Sequence, residues 1–191
     1  MTIGVWGDSI TYGVGDSEAL GWVGRLRKSF DINDYINVYN RGIRGETTED
    51  LLYRFESEVK LLKPEIVIFA IGINDSKYPS RGGESIVPLA EFENNMQLLV
   101  DKAKKVTQNI LILGPTNVNE GALNPDSDFL FSNEIISQYN TALEAFARDM
   151  RLHFMSVFNV LGEADLFDGL HPNANGYEKM FLVVEKVFND V

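Results

Sequence analysis

Five short apolar runs, separated by stretches whose apolar residues recur at helical spacing, constrain this chain more than any other feature. The runs begin at Thr2 and cover residues 36–39, 65–71, 109–113 and 152–157. The third, Glu-Ile-Val-Ile-Phe-Ala-Ile, is nearly unbroken, as expected of a parallel strand buried on both faces. Between and after the runs, apolar residues return every three or four positions. Leu51, Phe55, Val59 and Leu62 form one such series, and Phe92, Met96, Leu99, Ala103 and Val106 another. Glu18 to Phe30, Ile136 to Met150 and Tyr177 to Phe188 behave alike, and each predicts an amphipathic helix. Thr47 or Thr48 is placed to cap the second helix, which Pro64 follows. Strands alternating with helices, without an internal repeat or a composition break, predict an α/β fold: a doubly wound parallel five-stranded sheet in a three-layer α/β/α sandwich. The 191 residues are expected to form a single domain over 1–191.

This fold class fixes where function would lie. Right-handed crossovers bring the carboxyl ends of all parallel strands to one rim, where such sheets open their ligand crevice. The polar stretches around Ser9, Gly45 and Asn74 each follow a strand, and the loop from Asp168 to His171 follows the last one. Gly42 and Gly45 suggest a constrained backbone in the second stretch. Residues 76–87 and 116–131 have no convincing period and are expected to wall the same rim. Within the latter, Phe129-Leu130-Phe131 reads as core or helix-start packing rather than lipid contact.

Composition removes several classes of function. With no cysteine, disulfides, thiolate metal sites and cysteine nucleophiles are excluded. A formal charge of −11 argues against nucleic acid as a partner, since a binder must neutralise phosphates with clustered Lys and Arg. It leaves a neutral or cationic small molecule as the favoured partner. No apolar run approaches the roughly 18 residues of a membrane span, and the start of the chain lacks a basic region followed by an extended apolar core. The expectation is a cytoplasmic location without stable membrane insertion.

Ser9 follows the first strand in the run Gly7-Asp8-Ser9-Ile10-Thr11, where a helix starting there would aim backbone N–H groups at developing negative charge. A serine needs a base to attack near neutral pH, and the base needs a carboxylate to hold its tautomer. The chain has two histidines. His153 lies in an apolar strand and is expected to be buried, which leaves His171 as the base, with Asp168 close enough in sequence to orient it. Plainer roles exist for each residue. Ser9 and Asp8 suit a helix cap or turn, Asn74 a strand-end turn, Asp75 a cap, Asp168 a loop cap and His171 a helix start. Arg41, Arg44 and Arg81 border this region, with solvation as their default. A phosphate site is poorly supported, because Gly13-x-Gly15 lacks a dinucleotide fingerprint. A two-metal phosphoesterase would draw on Asp8, Asn74, Asp75 and Asp168, but such sites usually recruit several histidines. A silent acyl- or carbohydrate-binding protein is the competing reading from another class.

Gly-Asp-Ser-Ile-Thr near the amino terminus, Gly45, Gly72-Ile73-Asn74-Asp75 and Asp168-x-x-His171 together resemble, in order and spacing, the four blocks of the SGNH hydrolase superfamily, the GDSL-type esterases and lipases. The resemblance spans nearly the whole chain. It implies a flavodoxin-like sheet and hydrolysis of ester or thioester acyl groups with no cofactor and no metal. It further implies Ser9 as nucleophile, His171 as general base and Asp168 as its orienting acid. The oxyanion hole would comprise the backbone N–H groups of Ser9 and Gly45 and the side-chain amide of Asn74. Gly45 is preferred to Gly42 because Ile43-Arg44-Gly45-Glu46-Thr47 aligns with the family's Ile-x-Gly-Asp-Thr pattern, from which Glu46 departs. The sparsely apolar wall segments point to short acyl esters, acetyl to butyryl, of small alcohols or sugars; a lysophospholipase or longer-chain thioesterase is the alternative.

Overall fold

The computed structural model describes residues 1–31 and 35–188. The chain runs β1 (Thr2–Gly7), α1 (Ser9–Tyr12), α2 (Gly21–Ser29), β2 (Asn37–Gly42), α3 (Thr48–Leu62), β3 (Ile66–Ala70) and α4 (Ile73–Ser76). It continues through β4 (Tyr78–Pro79), α5 (Leu89–Ala103), β5 (Ile110–Leu113), β6 (Phe129–Leu130), α6 (Asn133–Met150), β7 (His153–Met155) and α7 (Ala174–Glu185). Short 3-10 turns lie at Glu120–Ala122 and Glu163–Asp165.

The main sheet is five-stranded, in the order β2-β1-β3-β5-β7, and each pair in it is parallel. Renumbered among these five strands, the order is that of flavodoxin-like sheets, whose topological switch point lies between β1 and β3. Register makes the rim level there. Gly7 at the end of β1 stands beside Gly42 of β2 on one side and Ala70 of β3 on the other. The residues that follow, led by Asp8, Ile43 and Ile71, therefore emerge at one height.

Alternation along the strands builds two cores. Ile3, Val5, Ile68, Leu111 and Leu113 face one side, where Trp22, Val23 and Leu26 of α2 and Tyr177, Met180 and Val184 of α7 cover them. Trp6, Val67, Phe69, Ile110 and Ile112 face the other, under Leu51, Phe55 and Val59 of α3, Phe92 and Met96 of α5 and Tyr139 of α6. Burial on both faces is why the third run is apolar from Ile66 onward.

Local chemistry explains where the elements begin. The α2 helix starts at Gly21 rather than residue 18 because the Asp16 carboxylate accepts from the backbone N–H of Glu18 (2.9 Å), Leu20 (3.2 Å) and Gly21 (2.7 Å). That competing turn holds Ala19 at φ 57° and delays the helix. Thr47 caps α3 in a capping box: its backbone N–H donates to Asp50 Oδ2 at 3.0 Å, and its side chain accepts from the Asp50 N–H.

Three expectations need correction. His153 is exposed, because β7 is a three-residue edge strand with a neighbour on one side only. The two irregular segments carry β4 and β6, which pair antiparallel as Tyr78 with Leu130 and Pro79 with Phe129. Strands of two residues have no period to detect. Phe129 is 39% exposed, with the Lys77 Nζ 5.2 Å from its ring centroid, whereas Phe131 packs against the core as expected.

Candidate active site

At the end of β1, Asp8 caps α1 by accepting from the Ile10 N–H at 2.9 Å, which makes Ser9 the first residue of the helix. The amide of a first-turn residue such as Ser9 has no partner within its helix. The turn is packed tightly against β2. A Cβ on Gly42 would stand 2.4 Å from the Tyr12 backbone nitrogen and 2.8 Å from the Asp8 carbonyl oxygen, so no larger residue fits there. Asn40 adds a bond from Nδ2 to the Thr11 carbonyl at 2.7 Å.

His171 arrives from the other end of the chain. Its Nε2 lies 3.0 Å from Ser9 Oγ, and its Nδ1 lies 2.8 Å from Asp168 Oδ2. The second carboxylate oxygen, Oδ1, accepts from the backbone N–H of His171 at 2.8 Å and of Leu170 at 3.0 Å. Partial burial works to raise the Asp168 pKa, but the bonds from the His171 backbone and ring outweigh it and hold the carboxyl below its ordinary value. The loop is closed by the Phe167 N–H donating to the His171 carbonyl at 2.7 Å and by a bridge between Leu166 and Pro172. Asn173, not Asp168 or His171, caps α7, accepting from Asn175 and Gly176. The Tyr177 hydroxyl donates to the Val14 carbonyl at 2.7 Å, tying α7 to the loop behind the nucleophile turn.

Asn74 lies buried in the first turn of α4, and its Nδ2 donates to the Glu46 carbonyl at 3.0 Å. The amide thereby grips the loop that contains Gly45. Gly45 itself is exposed, has φ 79°, and has no atom within 4 Å of where a Cβ would stand, so conformation and not crowding calls for glycine. Glu46, the departure from the family pattern, is bonded to Arg54 of α3, whose Nε lies 2.7 Å from Oε1. Arg54 also donates to the Arg41 carbonyl at 2.8 Å and to Glu58 at 2.9 Å. Sequence reading missed Arg54; its only signal was the Arg54–Glu58 spacing of a helical ion pair.

The remaining acids have partners of their own. Asp75 is fully buried and accepts from the Thr48 N–H at 3.0 Å, so it anchors the start of α3. Burial pushes its carboxyl up to about 6, against the bonds from Thr48. Asp8 is likewise buried, and desolvation, opposed by the Ile10 N–H, pushes it up to about 7. Asp8 is thus committed to its helix and Asp75 to Thr48, and the charge of Asp75 adds to the rise at Asp8. Among the described residues no three His, Asp or Glu side chains are disposed to hold a metal ion. Arg44 and Arg81 are exposed and Arg41 is half-buried.

A flavodoxin-order sheet with serine, histidine and aspartate in one hydrogen-bonded line at its rim is the kind of arrangement from which acyl hydrolases are built. The chain belongs to the GDSL-like lipase/acylhydrolase family, whose model matches residues 5–179, and it is a carboxylic ester hydrolase. It is 29% identical to an acetylxylan esterase from Geobacillus stearothermophilus over 74% of this chain and 67% of that one. Esterase TesA from Pseudomonas aeruginosa is 29% identical over 90% of this chain and 80% of its own length. An isoamyl acetate-hydrolyzing esterase from Saccharomyces cerevisiae is 25% identical over 83% and 69%. A solved structure of the Geobacillus esterase superposes with a TM-score of 0.77 at 25% identity, covering 97% of this chain and 92% of that one. Catalytic mutants of that esterase carry alanine in place of a serine, an aspartate or a histidine. Among the described residues no helix is long and apolar enough to cross a membrane.

Proposed function

We propose that the protein hydrolyses short-acyl esters of small alcohols or sugars through an acyl-enzyme on Ser9. The observation that carries this reading is the unbroken line from Ser9 Oγ to His171 Nε2 (3.0 Å) and from His171 Nδ1 to Asp168 Oδ2 (2.8 Å). As Ser9 Oγ attacks the ester carbonyl, its proton passes to His171 Nε2, and Asp168 stabilises the resulting imidazolium. The same proton then moves to the departing alkoxide oxygen, leaving the acyl group on Ser9. Water repeats the sequence: His171 takes its proton, hydroxide adds to the acyl carbon, and the proton returns to Ser9 Oγ as the acid leaves.

The backbone N–H groups of Ser9 and Gly45 and the Asn74 amide serve as donors to the oxyanion. In support, the Asn74 Nδ2 carries two hydrogens and commits one of them to the Glu46 carbonyl. That bond fixes the direction of the other before substrate arrives, which is what preorganised stabilisation needs.

Short acyl groups are favoured by the wall segments 76–87 and 116–131, which hold few contiguous apolar residues apart from Ile86-Val87 and Phe129-Leu130-Phe131, whereas a long chain would need apolar cover for every methylene. The acetylxylan esterase and the isoamyl acetate-hydrolyzing esterase carry small acyl groups in the substrates that their names state.

A fluorophosphonate probe is expected to label the wild-type protein at Ser9 and to leave Ser9→Ala unlabelled; labelling elsewhere, or none in active wild-type protein, overturns the assignment. In a series of esters from two to twelve acyl carbons below micelle formation, kcat/KM is expected to peak by four carbons. A continuous rise to twelve would favour the lysophospholipase or thioesterase reading.

A further inference from the structure

Beneath the nucleophile turn, on the α2 and α7 side of the sheet, lies a small cavity of about 20 Å³. It is lined by Asp8 and Thr11 of the turn, Trp22 of α2, Ala70 and Ile71 at the end of β3, Thr116 beyond β5 and Met180 of α7, among others. Two of these side chains carry an unmet polar atom. Trp22 is 0% exposed and Thr116 1%, yet neither Trp22 Nε1 nor Thr116 Oγ1 has a hydrogen-bond partner among the described residues. Buried polar groups are as a rule hydrogen-bonded, so two unpaired ones beside one cavity and one buried carboxyl call for a shared partner.

The donor inventory identifies the occupant. An indole N–H only donates, so the occupant must offer a lone pair to Trp22. That excludes a metal cation, which has none. An anion is disfavoured by the carboxyl of Asp8 in the same wall. What remains is a small neutral group with both donors and acceptors. The cavity exceeds the 10–15 Å³ or so that one water requires, and a buried water makes about three hydrogen bonds.

We infer that this cavity is a binding site for one resident water, which accepts from Trp22 Nε1 and bonds to Thr116 Oγ1 and to the Asp8 carboxyl. The water links three elements: the turn presenting Ser9, the α2 helix, and the exit of β5. Thr116 opens the segment that ends in β6 and walls the rim. Trp22 and Thr116 are thereby positioning residues, acting on Ser9 through water and through Asp8, its neighbour in the chain. This consequence for turnover rests on the hydrolase reading; the water site does not.

Nitrogen-15 labelling of tryptophan gives a direct test, because the chain has two tryptophans. The Trp6 indole is already bonded to Glu58 Oε2 at 3.0 Å and serves as an internal control. The Trp22 indole proton should show cross-relaxation with water of opposite sign in NOE and ROE spectra, the mark of a long-resident molecule, and Trp6 should not. Thr116→Val should abolish or strongly weaken that signal, and Thr116→Ser should keep it. A crystal structure should show one ordered water within hydrogen-bond distance of Trp22 Nε1 and Thr116 Oγ1. No water signal at Trp22 with the cavity dry in the crystal overturns the site, and an undiminished signal in Thr116→Val removes Thr116 from it. For positioning, Thr116→Val is expected to lower kcat about tenfold with KM within about twofold, and Thr116→Ser to restore it. Unchanged kcat in a Thr116→Val protein that has lost the water signal overturns the positioning role; loss of the signal in a protein that no probe labels at Ser9 would locate the failure in the hydrolase reading instead.

Discussion

At the scale of single residues, the site depends on groups whose partners leave them one task each. Asp168 spends one oxygen on backbone N–H groups and keeps the other for the His171 ring. Ser9→Ala and His171→Ala are therefore expected to lose roughly three to six orders of magnitude in kcat, and Asp168→Asn somewhat less. Full turnover in a folded Ser9→Ala protein would rule out the acyl-enzyme. Asn74→Ala removes the proposed oxyanion donor, which on that reading matters chiefly once the carbonyl oxygen is charged. The expected loss is about 100- to 1000-fold in kcat with little change in KM, and an effect confined to KM would make Asn74 a substrate-binding residue. Asp8 yields a prediction about stability. Its carboxyl is pushed from 3.8 up to about 7 in the folded protein, so between those values the native state holds a proton that the unfolded chain releases. The contribution is fully present below about pH 4 and is lost as pH rises to about 7. Asp8→Asn keeps the oxygen that accepts from Ile10 but cannot ionise, so its Tm relative to wild type should rise from pH 5 to pH 8. A difference that stays level or falls across that range contradicts burial as the cause.

At the scale of elements, the start of α3 is the joint between scaffold and site. Thr47 and Asp50 close the capping box, Asp75 receives the Thr48 N–H from below, and Arg54 one turn later holds Glu46. The same few residues end the loop that carries Gly45. Thr47→Ala should cost about 1 kcal/mol by loss of the cap, seen as a fall in Tm of about 2–4 °C. Because the Glu46 carbonyl is held independently by Asn74, KM and kcat should change by less than about threefold; a larger loss would mean that the cap, and not Asn74, positions this loop. The β4–β6 pair is the other joint. It binds the two wall segments to each other, with a further bond from the Ser80 N–H to the Asp128 carbonyl at 2.9 Å.

At the scale of the molecule, the site is a product of strand order. Ser9 follows β1 and Asn74 follows β3, the two strands that flank the switch point, while Gly45 follows β2 at the sheet edge. The crevice therefore opens where neighbouring crossovers run to opposite faces. Beneath it, Trp6, Phe55 and Phe69 form an aromatic group with centroids 5.0 and 4.9 Å apart. Phe55→Ala should destabilise by about 3–5 kcal/mol in a denaturant titration, because the strand and helix on either side cannot collapse into the space. A loss under about 1 kcal/mol would show that this face relaxes freely.

The alternation of apolar runs and helical periods was enough to specify the parallel sheet and its layers, because burial on both faces leaves a strand little choice of side chain. It also placed Ser9, Gly45, Asn74, Asp168 and His171 at one rim, since crossover handedness is a property of the backbone. Tertiary structure decided what periodicity does not encode. His153 is exposed because β7 lies at the sheet edge, and sheet order is not written in any single strand. The β4–β6 pair depends on two segments some fifty residues apart in the chain meeting over the rim, with two residues each and no pattern of their own. The roles of Asp75 and Arg54 likewise come from partners on other elements, Thr48 and Glu46, whose approach only the packed fold creates. Residue types and their order carry the chemistry of this site, whereas the distances that make it a site are set by packing across the whole sheet.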